Sequence, residues 1–312
     1  MRRSVVTLGT FDGVHRGHRV LLRRVLQRAK QLRAKSVVLA FDMPPRHAGD
    51  LPEKSILLTT LSEKLEILRR IGIDTVQVLV FDRKTANTSP ESFFTETIVK
   101  KHHAAAMVVG PRVAFGKNRA GRLPLLKQLG KKTGVRVDVV GAVKSRRTSV
   151  ASRRIRALLA AGQVEKAIPL LGYPYSVKGQ VVHGDHRGRQ LGYPTANLRP
   201  DIGKILPQGV FWVKVLPGSA PVPLGDKDLK AASDGLCNVG IRPTFTPNAR
   251  ELRCEVFLFN QRKNLYGRSL RIVFMRKIRS ERRFSSPKAL VRQIDADFRR
   301  AKHWALRFSF TK

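Results

Sequence analysis

Thr195 and Asn197 stand two residues apart in Gly192-Tyr193-Pro194-Thr195-Ala196-Asn197, a stretch that Pro194 biases toward an extended shape. Alternation along an extended chain puts both side chains on one side. A hydroxyl and a carboxamide oxygen are hard, neutral ligands suited to Mg²⁺, which keeps most of its waters and takes the rest of its shell from nucleotide phosphates. Gly192 lets the backbone approach a ligand closely. The same residues would also serve as a polar turn between strands, and residue types alone leave both readings open. A second constellation lies near the N-terminus. His15 and His18, with Gly17 between them, fall three apart in what reads as a first helical turn, hence on one face. They follow the glycine-bounded turn Gly9-Thr10-Phe11-Asp12-Gly13, itself preceded by a short apolar run. Strand, turn and helix start together present free N–H groups and a positive dipole end to phosphate. Two imidazoles placed there can donate to phosphate oxygens as a phosphoryl bond rearranges.

The elements that must hold these residues differ between the two halves. Residues 4–8, 36–41, 75–81, 104–109 and 135–140 read as strands. Helical patterns at 15–32, 60–71 and 123–130 alternate with them, and Ser89-Pro90-Glu91 starts another helix with Ser as N-cap and Pro at the first position. In the first helix Leu21, Leu22, Val25, Leu26, Ala29 and Leu32 form the apolar stripe; in the second, Glu63, Lys64, Arg69 and Arg70 read as outward. Alternation of this kind predicts a parallel sheet covered on both faces, an α/β domain with ligands at the carboxyl ends of its strands. Residues 157–171 read as one or two short helices broken near Gly162. The turn cluster Gly172-Tyr173-Pro174-Tyr175 marks the expected boundary, giving domains 1–172 and 173–312. Beyond it the period changes to short strands at 177–183, 209–216, 236–239, 252–259 and 270–278, which predicts a small closed antiparallel β-barrel. A last amphipathic helix at 287–304 carries Leu290, Ile294, Phe298 and Ala301 on one face. Glu255 alternates with Cys254 and Val256 and so faces away from them. Turned inward, it would suit proton abstraction from a primary alcohol; turned outward, it would be a solvated surface Glu.

Bulk composition narrows the classes. The chain has 312 residues, enough for two cores, and 42% hydrophobic residues. Lys and Arg number 61 against 22 Asp and Glu, a net charge of +39, which attracts polyanions of any kind. These charges are scattered rather than gathered, so nucleic acid is expected to bind only non-specifically. The two cysteines, Cys237 and Cys254, lie in apolar runs without a Cys-x-x-Cys spacing, which argues against zinc and against a disulfide scaffold. No window supplies a membrane span, and no signal or transit segment is recognisable, so the expected compartment is the cytoplasm. Oligomeric state is not readable.

Three stretches together resemble the core of a riboflavin kinase: Gly179-Gln180-Val181-Val182-His183-Gly184, the Gly192–Asn197 stretch, and Asn238-Val239-Gly240-Ile241-Arg242-Pro243-Thr244-Phe245. The first half, on Gly9-x-Phe11-Asp12-Gly13-x-His15-x-Gly17-His18, resembles the adenylyltransferase half of the bacterial bifunctional riboflavin kinase/FAD synthetase (FMN adenylyltransferase) family. The resemblance implies a Rossmann-like nucleotidyltransferase domain followed by a riboflavin-kinase-type barrel with a C-terminal helix. It implies a cytoplasmic enzyme that takes riboflavin, FMN and ATP as substrates with Mg²⁺ as cofactor, forming FMN and then FAD. By the same resemblance His15, His18 and Glu255 are catalytic, with Glu255 the base. Gly9, Phe11, Gly17, Ser152, Arg156, Gly192, Thr195 and Asn197 would hold ATP, and Thr195 and Asn197 the metal. Asn238, Arg242, Thr244, Arg279 and Phe284 would hold the flavin, and Asp297 recurs in the last helix. The chain departs from the family pattern at Pro44, where a histidine is usual, at Arg112, where an acid is usual, and at Ala151 and Arg153 in the Ser-Ser-Thr-x-Ile-Arg motif. Phe257 and Asn260 replace a usual His and Asp. Ser152 could still cap the helix that follows, while Arg153 and Arg154 read as a solvated face. Two alternatives stay open here: a riboflavin kinase with a degenerate first domain, and a basic RNA-associated protein on the same scaffold.

Overall fold

The structure, a computed structural model, describes residues 3–42, 57–80, 82–145, 148–184, 192–243, 250–259 and 265–309. The chain divides into two compact units, the first running to Ser152 and the second from Arg153, with Leu57 counted in the second. Leu57 reaches the second unit through a parallel bridge to Lys204.

The first unit is built on five parallel strands: β1 (Ser4–Gly9), β2 (Lys35–Phe41), β3 (Thr75–Leu79), β4 (Ala104–Val109) and, later in the chain, β7 (Arg136–Val139). Two-residue hairpins β5/β6 (Ala114–Phe115, Gly121–Arg122) and β8/β9 (Lys144–Ser145, Thr148–Ser149) flank them. The sheet order is β3-β2-β1-β4-β7. β1 and β2 are continuously buried rather than alternating, as strands covered on both faces must be. Val5, Ala106 and Val108 meet Val25 and Ala29 of α1 (Arg16–Gln31) on one face. On the other, Val6, Leu39, Met107 and Val109 meet Phe93, Phe94 and Ile98, on the helical stretch that follows Ser89, and Leu126 of α5 (Leu123–Thr133). Of the expected α1 stripe, Leu32 is instead exposed, because the helix ends before it.

α2 (Leu61–Ile71) begins with a capping box, Thr60 Oγ1 accepting from Glu63 N and Glu63 Oε2 accepting from Thr60 N. Here the outward reading of Glu63 and Lys64 fails: both are buried. Glu63 is consumed by the cap. The Lys64 ammonium lies over the end of β2, donating to Phe41 O at 2.6 Å and Asp42 O at 3.2 Å. After β3 come α3 (Arg83–Asn87) and α4 (Pro90–Ser92), the latter capped by Ser89 and with Pro90 at its start, as expected.

In the second unit α6 (Ser152–Ala160, of which Ser152 itself closes the first unit) and α7 (Val164–Leu171) precede a closed six-stranded barrel. The helices belong with the barrel by this division, which falls well before Gly172; Glu165 of α7 accepts from Lys277 N at 2.8 Å. The strands are β10 (Ser176–Val182), β11 (Ala196–Pro200), β12 (Gly209–Pro217), β13 (Ser233–Pro243), β14 (Arg250–Leu258) and β15 (Ser269–Arg279). They close in the order β10-β11-β14-β13-β12-β15, and every pairing is antiparallel. β11 was legible only as an extended segment, not as a barrel strand. α8 (Pro287–Ser309) packs Ala301, Ala305, Phe298 and Trp304 against Trp212, Leu236, Phe257 and Met275. A six-stranded barrel has no room inside for a helix, so the face under α8 is the outer one.

Candidate active sites

The order β3-β2-β1-β4-β7 reverses direction at β1, the strand flanked by both β2 and β4. Open parallel sheets bind ligands at such a reversal, beyond the carboxyl ends of the strands. Gly9 ends β1 there, and the turn that follows holds Phe11 in the left-handed region at φ 48°. Phe11 is buried, its ring 5.1 Å from that of His18, so its side chain builds the turn rather than facing a ligand. Asp12 is buried too. Its carboxylate accepts from Leu58 N at 3.0 Å and Thr59 N at 3.1 Å, and its carbonyl accepts from Ser152 Oγ at 3.1 Å. Ser152 thus ties down the turn with the hydroxyl that sequence assigned to helix capping.

His15 is the N-cap of α1, one position before the helical turn in which it was expected. Its Nδ1 accepts from His18 N at 3.3 Å, which satisfies one free N–H of the helix start and leaves the proton on Nε2. The two imidazoles lie nearly parallel with centroids 3.7 Å apart. Gly17 permits this, since a Cβ there would come within 3.2 Å of the His15 ring. His18 Nδ1 is buried with no hydrogen-bond partner among the described residues. Burial, then the neighbouring His15 and the Lys64 ammonium, push the His18 pKa well below its ordinary value, so the ring is neutral at pH 7. The Lys64 pKa is itself lowered by burial, with Asp12 and Asp42 opposing. Lys64 was missed as part of this site. Arg112 is exposed on the segment after β4. Arg156 is half-buried on α6, while Arg153 and Arg154 are exposed, as the solvated reading had them. Pro44 lies outside the described residues.

In the barrel, strand register assembles the second site. Asn197 of β11 and Glu255 of β14 are directly opposed, and Glu255 is directly opposed to Asn238 of β13. Directly opposed residues share a face with Cβ atoms about 4.5–5.5 Å apart, so three polar side chains form one row across three strands. All three are half-buried. Cys237, Val239, Cys254 and Val256 occupy the opposite face and are fully buried, with Sγ–Sγ 3.5 Å between the cysteines. Glu255 therefore does not point into the barrel, as the inward reading had it. It sits on the outer face, two residues from Phe257, which α8 covers.

Thr195 is half-buried just before β11, and Gly192 takes φ 83° with open space around it. Gly184 is packed against the Asn197 carboxamide so closely that a Cβ would overlap it. Asn238 Nδ2 donates to Glu281 Oε1 at 3.4 Å. Arg279 donates to Asp297 Oδ2 at 2.8 Å, and its guanidinium lies 5.5 Å from the Phe284 ring centre. Thr244 and Asn260 lie outside the described residues, as does the side chain of Arg242; its backbone pairs with Glu251 in β13. Among the described residues no cluster of His, Cys, Asp and Glu could hold a metal ion. The donors at this site, a hydroxyl and a carboxamide, fit Mg²⁺ completed by phosphate and water, not a metal caged by protein alone.

The FAD synthetase family model matches residues 1–154 and the riboflavin kinase model residues 171–305. The bifunctional riboflavin kinase/FMN adenylyltransferase of Escherichia coli (strain K12) is 34% identical over 310 residues, covering 99% of this chain and 94% of that protein. That of Haemophilus influenzae is 33% identical over 302 residues, covering 97% and 94%. A crystal structure from Streptococcus pneumoniae described as a macrolide-efflux protein superposes with a TM-score of 0.85 at 31% identity, covering 97% of this chain and 95% of that one. Among the described residues of this chain no helix is long and apolar enough to cross a membrane. Both halves match in order and over nearly their whole length, and the chain belongs to the bifunctional riboflavin kinase/FMN adenylyltransferase family.

Proposed function

We propose that the chain phosphorylates riboflavin to FMN on its barrel and adenylylates FMN to FAD on its parallel-sheet domain, with ATP as co-substrate of both steps. The observation that carries the reading is the row Asn197–Glu255–Asn238, which sets a lone carboxylate between two carboxamides. Glu255 accepts the proton of the ribityl 5′-hydroxyl as that oxygen attacks the γ-phosphorus of ATP. Thr195 and Asn197 hold the triphosphate end, directly and through Mg²⁺, which when bound neutralises charge on the phosphate oxygens. Asn238, Arg242 and Thr244 shape the flavin side, with Arg279 and Phe284 closing over it.

In the first domain the α1 start and the His15–His18 pair receive the phosphates of ATP. His15 Nε2–H donates to oxygen, and neutral His18 supplies a second donor without adding a buried charge. Gly9, Gly17 and the Asp12 turn bring the backbone close, and Ser152 fixes that turn. Functionally we assign 1–172 to adenylyl transfer and 173–312 to phosphoryl transfer. Dependence on ATP favours a cytoplasmic reaction. The +39 charge favours phosphate-rich substrates, and any nucleic acid would bind without sequence preference. The kinase-only and RNA-binding alternatives are not favoured, because the family match covers both halves.

Purified protein incubated with riboflavin, Mg·ATP and pyrophosphatase is expected to yield FMN and then FAD. FMN without FAD would retire the adenylyl step, and unchanged riboflavin would retire the whole reading.

A further inference from the structure

α8 is seated on the barrel by its second half and reaches the kinase site with its first. Phe298, Ala301, Trp304 and Ala305 pack with Trp212, Leu236 and Met275, which fixes the helix axis. One turn earlier, Asp295 accepts a hydrogen bond from the hydroxyl of Tyr193. Tyr193 directly precedes Pro194 and Thr195, and its ring stands edge-on to Phe257 with centroids 5.2 Å apart. Phe257 in turn lies two residues from Glu255 on the same face of β14, and edge-on to Phe298 of α8 at 6.2 Å. The loop that carries Thr195 is therefore held at two points, a carboxylate on its hydroxyl end and an aromatic wall on its ring.

We infer that Asp295 and Tyr193 are positioning residues of the phosphoryl-transfer site: α8, through this carboxylate–phenol contact, sets the position of Thr195 relative to the register-fixed pair Asn197 and Glu255. The inference rests on the kinase reading given above. Several observations support it. Pro194 locks the backbone between Tyr193 and Thr195, so displacement of the tyrosine is passed on rather than absorbed. A phenol donating to a carboxylate makes a short, charge-assisted bond that specifies direction as well as distance. Asp297, two residues further along α8, holds Arg279 at 2.8 Å and accepts from Gln293 Nε2 at 2.7 Å. Residues two apart project about 200° from one another around a helix. One rigid helix thus grips the nucleotide-side loop with one acid and the flavin-side segment with the other. Thr195 is neutral and short, so it cannot correct its own position by long-range attraction.

The test is a steady-state comparison of the full chain with Tyr193→Phe, Asp295→Asn and the double variant. Tyr193→Phe keeps the ring on Phe257 and removes only the donor. Each single variant is expected to lower kcat/KM for riboflavin phosphorylation about tenfold, chiefly through a higher KM for ATP. The double variant should be no worse than either alone, since both remove one contact. Asp295→Glu should recover part of the loss. FAD formation from supplied FMN, run on the same samples, should be unchanged, and an unchanged melting temperature shows that the barrel is folded. Additive losses, or an unchanged KM for ATP with FMN formation intact, would overturn the positioning role. If wild-type protein forms no FMN at all, the kinase reading fails and not the latch alone.

Discussion

Asn197 and Glu255 are directly opposed residues of β11 and β14, strands far apart in the chain that strand register brings together. Slipping either strand by one residue would send one of the two side chains to the packed interior. The fully buried neighbours Leu198, Cys254 and Val256 forbid that slip, so the core fixes the geometry of the site. Glu255→Gln keeps shape and hydrogen bonding but removes the proposed base. FMN formation should fall at least a hundredfold, the usual scale of a general base, while FAD formation from supplied FMN persists. Product analysis with each substrate in turn separates the two. Unchanged FMN turnover would remove Glu255 from the mechanism.

His15→Ala combined with His18→Ala should abolish FAD formation and spare FMN formation, measured in the same assay. His18 also makes a thermodynamic prediction. Its folded pKa lies below the ordinary 6.5 because of burial, His15 and Lys64. Below pH 6.5 the unfolded chain therefore binds a proton that the folded chain does not yet accept. Stability from this group is full above pH 6.5 and is lost as pH falls toward the folded pKa, below which it levels off. The residue as a whole is only partly buried, which moderates the effect. Melting temperatures at pH 7.5 and 5.5 should differ less in His18→Gln than in wild type. An equal or larger difference in the variant would contradict the assigned shift.

The parallel sheet is legible in continuous apolar runs alternating with amphipathic helices, and the barrel in short strand-like runs separated by Gly, Pro and Asn with no helix between them. β11 left little trace, since Asn197, Arg199 and Pro200 dilute its apolar positions. The face of Glu255 was half-legible. Alternation separates it from Cys254 and Val256 but does not say which face is interior, because α8 makes the outer face apolar as well. Glu63 and Lys64 were misread because charge was equated with exposure. The Thr60-x-x-Glu63 capping signature was present and explains the first. Nothing local explains Lys64, whose partners are carbonyls at the end of a strand that precedes it in the chain. Nothing in the sequence marks the Tyr193–Asp295 pair, since the two residues lie 102 apart in the chain.

Lys64→Met keeps most of the buried stem and deletes the ammonium. The Phe41 and Asp42 carbonyls then lose a donor in a buried setting, which costs about 1–3 kcal/mol by chemical denaturation. The variant also removes one of the charges that hold His18 neutral, so the His18 pKa should rise toward its ordinary value. NMR titration of the His18 ring checks the direction. FAD formation should weaken and FMN formation should not. A titration curve that stays in place would show that Lys64 acts on the β2 end alone.

Gly184→Ala tests the second site through packing rather than chemistry. The added methyl group would overlap the Asn197 carboxamide, which is the movable partner, so the side chain must turn away while the strands stay paired. Gly184 does not adopt a positive φ, and backbone strain is not the issue. The expected result is a KM for ATP in the kinase reaction raised about tenfold or more, with thermal stability changed by no more than about 1 kcal/mol. Asn197→Ala should reproduce the kinetic loss, and Gly184→Ala added to it should cost little further, because the group displaced is already absent. A large extra loss in the double variant would mean that Gly184 serves the ligand directly and not through Asn197.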